Sequence, residues 1–121
     1  MQGSTERVLA FGELNIDVVG REVTHGERRV HLTYQEFELL RTLVEHRGRA
    51  LTREALIASL WTNRSLDTVR TVDIHVSRLR RKLGAPFGAM IETVRKVGYK
   101  CAARPAEAPA AAVQLGDRPA A

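Results

Sequence analysis

The sequence predicts an α+β domain in which a four-stranded antiparallel sheet precedes three helices and a two-stranded hairpin. Three observations carry that expectation. Short β-prone pieces alternate with turn formers between Val8 and Leu32, two capped helical patterns begin at Thr33 and Thr52, and a basic amphipathic segment over 70–83 runs into a basic hairpin. Helix, helix, loop, helix and then a hairpin is the order of a helix-turn-helix with a long turn and a wing.

The strands are expected at 8–11, 14–18, 22–24 and 28–32, separated by turn residues at Gly12, Gly20 and Gly26. Val30 and Leu32 alternate with Arg29 and His31, the period of a strand with one wet face. Strands this close together pair as an antiparallel meander. This part of the chain carries no chemical motif and reads as scaffold.

Thr33-Tyr34-Gln35-Glu36 has the spacing of a capping box, with Leu32 and Phe37 as a hydrophobic staple. The helix is expected to run to about His46 and stop at Gly48, with Phe37, Leu40, Leu43 and Val44 inward. A second helix starts at Leu51-Thr52 and carries Ala55, Leu56 and Leu60 to Trp61. The polar stretch 62–67 reads as a loop, and Asp67 or Thr68 as the cap of the third helix, which ends near Gly84 and Pro86.

On that third helix, at about 100° per residue, Val72, Val76, Leu79 and Leu83 share one narrow stripe. Opposite it lie Arg70, Ile74, Ser77 and Arg81, flanked by Thr71, Arg78, Asp73 and Arg80. One face can sit on a core while the other presents guanidinium forks, hydroxyls and a lone isoleucine. Arginine can chelate guanine O6 and N7, and isoleucine can touch a thymine methyl. Asp73 can accept from cytosine N4, although a hydrogen bond to a neighbouring arginine is the preferred reading. Two strands, 90–94 and 99–102, then enclose the basic tip Arg95-Lys96-Val97-Gly98.

Composition permits this reading without requiring it. Lys and Arg number 19 against 14 Asp and Glu, a formal charge of +5 that favours polyanionic partners. The single cysteine, Cys101, excludes an internal disulfide and fits a reducing compartment. The 4 histidines show no metal-ligand spacing, no glycine loop or nucleophile elbow is present, and no cofactor or enzymatic activity is expected. No apolar run approaches a membrane span and the N-terminus is unlike a signal peptide, so the chain is expected to be cytoplasmic, nucleoid-associated and away from membranes. Residues 1–6 and the Ala/Pro-rich 103–121 are expected to be disordered around a domain at 7–102.

Three motifs together resemble the winged-helix effector domain of OmpR/PhoB-type response regulators: Leu32-Thr33-Tyr34-Gln35-Glu36-Phe37-Glu38-Leu39-Leu40, Arg70-Thr71-Val72-Asp73-Ile74-His75-Val76 leading to Arg78-Leu79-Arg80, and Ile91-Glu92-Thr93-Val94-Arg95 with Gly98-Tyr99. The resemblance implies sequence-specific binding to double-stranded promoter DNA, often as two head-to-tail copies on direct repeats. It implies that Arg70, Thr71, Asp73, Ile74, Ser77, Arg78 and Arg80 face the major groove or its phosphates, and that Arg95 enters the minor groove. Arg53, Trp61, Thr93 and Tyr99 match phosphate-contacting positions, and the loop with Asn63, Arg64 and Ser65 resembles the one that meets RNA polymerase.

The sequence departs from that pattern in places. Ser77 stands where some relatives have arginine, and Lys96 stands where glycine is frequent, so it is expected to stiffen the tip and add a phosphate contact. The resemblance begins almost at Met1, so the phospho-accepting receiver domain of a two-component phosphorelay is expected to be missing, leaving an excised effector or a stand-alone regulator. Trp61 and Tyr99 can each serve the core as well as a phosphate, His75 reads as packed, and Cys101 as buried or at an edge. The competing functional class is a winged-helix module that binds another protein.

Overall fold

The computed structural model describes residues 8–60 and 69–104, the side chains of Ser59, Leu60, Val69 and Arg70 excepted. Its elements in order are β1 (Val8–Phe11), β2 (Leu14–Asp17), β3 (Glu22–His25), β4 (Arg28–Val30), α1 (Tyr34–Glu45), β5 (Leu51–Thr52), α2 (Arg53–Leu60), α3 (Val69–Leu83), α4 (Phe87–Met90), β6 (Ile91–Val94) and β7 (Gly98–Cys101). The first four strands form an antiparallel sheet in sequence order. Ile16 pairs with Val23 and Val23 with Val30, so one cross-strand row of apolar side chains faces the core.

Helix α1 begins as its sequence dictates. The Glu36 amide donates to Thr33 Oγ1 at 3.2 Å and the Thr33 amide to Glu36 Oε1 at 3.0 Å. The expected inward residues are buried, and so is Leu39. A single stripe would leave Leu39 on the flank, but α1 is the central helix, packed against α2, α3, β1 and β7. Helix α3 seals the other side with Val72, Val76, Leu79 and Leu83 at 0–1% exposure. Its last turn is basic, which suits the negative helix end, and Arg28 Nη2 donates to the Leu83 carbonyl at 3.3 Å.

Two elements are absent from the sequence-based expectation. Helix α4 is a single turn that brings Phe87 against Phe11 and edge-on to His25, with ring centroids 6.1 and 4.8 Å apart. Strand β5 pairs with β7, Leu51 opposite Tyr99 and Thr52 opposite Gly98, turning the expected hairpin into a three-stranded sheet ordered β5-β7-β6. Gly98 permits this approach, since a Cβ there would collide with the Leu51 carbonyl oxygen. Thr52 also caps α2, accepting from the Ala55 amide at 2.9 Å. Through β5, the hairpin is tied to the start of the second helix.

Candidate nucleic-acid interface

The burial of its apolar stripe fixes the rotation of α3 and leaves Ile74, Ser77, Arg78 and Arg81 exposed. Ile74 is 45% exposed. With Asp73 these residues line an open concavity along the helix. Thr71 is half-buried at the first turn, and the Arg70 backbone is helical while its side chain lies outside the described residues. His75 is half-buried and Cys101 buried, its thiol pushed up to about 11 by that burial.

Asp73 is oriented from two sides. Its Oδ1 accepts from Arg53 Nε at 2.7 Å and from Tyr99 Oη at 2.6 Å. Arg53 comes from α2 and Tyr99 from β7, so one carboxylate oxygen joins the three elements. The Arg53 guanidinium also lies over the Tyr99 ring, 5.1 Å from its centroid. Burial opposes the charge on Asp73, but the hydrogen bonds from Tyr99 and Arg53 outweigh it and hold the carboxyl below its ordinary range. The same bond raises Arg53 further, while burial, followed by the Asp73 bond, raises the Tyr99 phenol. The arginine expected beside Asp73 is therefore Arg53, from another helix.

Arg80 turns towards the hairpin. Its Nε and Nη2 donate to the Ile91 carbonyl at 2.9 and 2.7 Å, and Nη2 also donates to Thr93 Oγ1 at 2.9 Å. Its guanidinium carbon sits 5.4 Å from the Tyr99 ring centroid. Tyr99 is buried at 5% exposure, its ring in the core and its hydroxyl on Asp73. At the tip, Arg95, Lys96 and Val97 are exposed, and the turn closes through Val97 N–H donating to the Val94 carbonyl at 3.0 Å. Lys96 has φ +67°, the left-handed conformation that explains why glycine suits this position.

The structure thus brings Arg53, Asp73, Arg80, Thr93 and Tyr99 into one cluster, sets Ile74, Ser77 and Arg78 on the outward face, and puts Arg95 and Lys96 at the tip. Trp61, Asn63, Arg64 and Ser65, like the cap at Asp67 or Thr68, lie outside the described residues. Arg81 belongs with the outward face although no motif singles it out; its place opposite the apolar stripe was the available signal. Lys82 leaves the basic face altogether, its Nζ donating to Glu36 Oε1 at 2.7 Å. Among the described residues no cluster of His, Cys, Asp and Glu could hold a metal, and no helix is long and apolar enough to cross a membrane.

Residues 26–101 match the family described as "Transcriptional regulatory protein, C terminal". The chain belongs to the OmpR/PhoB-type regulator family. It is 41% identical over 98 residues to the transcriptional regulatory protein VxrB of Vibrio cholerae, covering 81% of this chain and 39% of that protein. It is 33% identical to the phosphate regulon regulator PhoB of Pseudomonas aeruginosa, with 81% of this chain and 43% of that protein covered.

Among solved structures, the RstA DNA-binding domain of Klebsiella pneumoniae in complex with the RstA box superposes with a TM-score of 0.70 at 37% identity, covering 81% of this chain and 99% of that one. The AdeR DNA-binding domain in complex with an intercistronic region gives 0.68 at 29% identity, covering 79% and 98%. The chain spans about two fifths of the length of the curated OmpR/PhoB-type relatives it matches.

Proposed function

We propose that this chain binds double-stranded DNA sequence-specifically as the effector part of an OmpR/PhoB-type transcriptional regulator, with α3 in the major groove and the β6–β7 tip in the adjacent minor groove. The observation that carries this reading is the two-faced α3: its apolar stripe is buried to within 1% while Ile74, Ser77, Arg78 and Arg81 stand outward beside a basic hairpin. That RstA and AdeR domains of the same fold are seen on DNA supports it.

In this reading Arg70, Thr71, Ile74, Ser77 and Arg78 meet base edges or the phosphates beside them, and Arg95 enters the minor groove. Arg53, Trp61, Thr93 and Lys96 serve the phosphate backbone. Asp73 and Tyr99 orient Arg53 through their shared hydrogen bonds. Two copies bind head-to-tail on direct repeats, and the loop with Asn63, Arg64 and Ser65 faces RNA polymerase. The setting is the bacterial cytoplasm.

Selection of bound sequences from random duplex DNA at two salt concentrations tests the proposal. The expected result is an enriched direct repeat whose affinity falls with log salt by roughly 0.9 per neutralised phosphate. No enrichment together with a flat salt response would favour a protein-binding module instead.

A further inference from the structure

The strand that Arg80 grips is the free edge of the three-stranded sheet, and its backbone direction explains the grip. Among the described residues strand β6 pairs only with β7. The Ala102 amide donates to the Met90 carbonyl at 2.9 Å, so that carbonyl points towards the β7 side. Successive carbonyls alternate along an extended strand, which turns the Ile91 carbonyl to the open edge, where α3 lies. An unpaired carbonyl at a strand edge needs a donor. Arg80 supplies two to Ile91 and one to Thr93 Oγ1, two residues before Arg95 in the chain. The guanidinium fork is planar and rigid, so three bonds fix the strand's distance and its tilt against α3.

From this geometry we infer that Arg80 is a specificity-determining positioning residue: it sets the wing against the recognition helix so that Arg95 and Arg78 read their grooves in one register. This departs from a base-reading role for Arg80, because its Nε and Nη2 are committed to β6. The inference rests on the proposed minor-groove role of Arg95. Arg80 acts through the wing, and its removal loosens the minor-groove reading first.

The test compares wild type, Arg80→Ala, Arg95→Ala and the double variant on the selected site with A·T or G·C pairs under the wing, and on sites changed under α3. Arg95→Ala is expected to abolish the A·T preference. Arg80→Ala is expected to reduce that preference about three- to tenfold, towards the lower end of the coupling found within one hydrogen-bond network, while keeping discrimination under α3. The double variant is expected to match Arg95→Ala. Arg80→Lys keeps the charge without the fork, so its salt dependence should stay at the wild-type slope while the A·T preference falls.

Thr93→Val, at an exposed strand position that tolerates valine, is expected to lower the preference in the same direction by a smaller factor, which covers the case of an unfolded Arg80→Ala. Loss of discrimination under α3 with the A·T preference intact would overturn the inference and make Arg80 a reader. If Arg95→Ala retains the A·T preference, the minor-groove reading itself fails, and this inference with it.

Discussion

Tyr99 Oη donates to Asp73 Oδ1 at 2.6 Å, joining strand β7 to the first turns of α3. The same oxygen takes Arg53 Nε from α2. In the proposed binding mode, a carboxylate on α3 would be repelled by phosphates unless it is compensated. Here a guanidinium and a phenol compensate it, and the exposed basic side chains keep the surface positive.

Removing this junction should cost stability. Asp73→Asn is expected to lower unfolding free energy by about 1–2 kcal/mol, the value of charge-assisted bonds reduced by solvent screening at a side chain 44% exposed. Urea denaturation of Asp73→Asn, Tyr99→Phe and the double variant measures it. The two changes are expected to be non-additive by about 1 kcal/mol; strict additivity would mean that the bond is not formed in solution.

The pH dependence has a definite sign. The Asp73 carboxyl is lowered from its ordinary 3.8 and that of Glu36 from 4.5, so their stabilisation is complete above those values and is lost as pH falls through the folded-state values. Tyr99 is raised from 10.0, so its contribution holds below pH 10 and is lost as pH rises through its folded value. The urea midpoint should fall on the acid side and again on the alkaline side, where the fall begins near pH 9 because burial raises the Cys101 thiol from its ordinary 9.0 to about 11. Tyr99→Phe should remove its share of the alkaline fall.

Glu36 is a buried carboxylate at 1% exposure that serves the α1 capping box and Lys82 together. Burial raises its pKa, but the bonds from Lys82 and Thr33 outweigh that and keep it charged. Lys82→Ala leaves the charge with its capping partner only. Stability should drop by about 1–3 kcal/mol, below the full cost of breaking a buried pair because Lys82 itself is 38% exposed. Sequence preference on DNA should stay at its wild-type value, which binding to matched and mismatched duplexes checks.

Local signals in the sequence were legible where neighbours in the chain decide the outcome. The Thr33–Glu36 capping box and the stripe from Val72 to Leu83 are set by spacings of three to four residues and appear in the structure as expected, while the strands appear with ends shifted by up to two residues, β4 stopping at Val30 short of His31 and Leu32. What was not legible depends on distant partners. Asp73 meets Arg53 20 residues away and Tyr99 26 away, and no periodicity encodes either pairing. Arg80 lies on the helical flank that reads as DNA-facing, yet an open strand edge turns it aside. Strand β5 is two residues long, too short for an alternation to show, and exists because Gly98 lets it close on β7. Lys82 follows Arg81, which faces outward, in the same basic run, and a buried glutamate on α1 redirects it.

The wing tip offers a compact trade-off. Lys96 occupies φ +67°, which costs a non-glycine residue about 1–2 kcal/mol. Lys96→Gly is expected to gain about 1 kcal/mol of stability, part of that relief being offset by glycine's greater unfolded-state entropy. If Lys96 makes the proposed phosphate contact, affinity for all sequences should fall alike, with the salt slope shallower by about 0.9. Thermal denaturation and a salt titration read the two effects separately.

Arg78 stands on the outward face of α3, the face proposed to read sequence. The measurement is the ratio of affinities of wild type and Arg78→Ala for the selected site over a duplex altered beneath α3. The expected result is a loss of discrimination of about 1–3 kcal/mol in Arg78→Ala, the value of a bidentate base contact. An unchanged ratio in the folded variant would contradict the placement of this helix in the major groove.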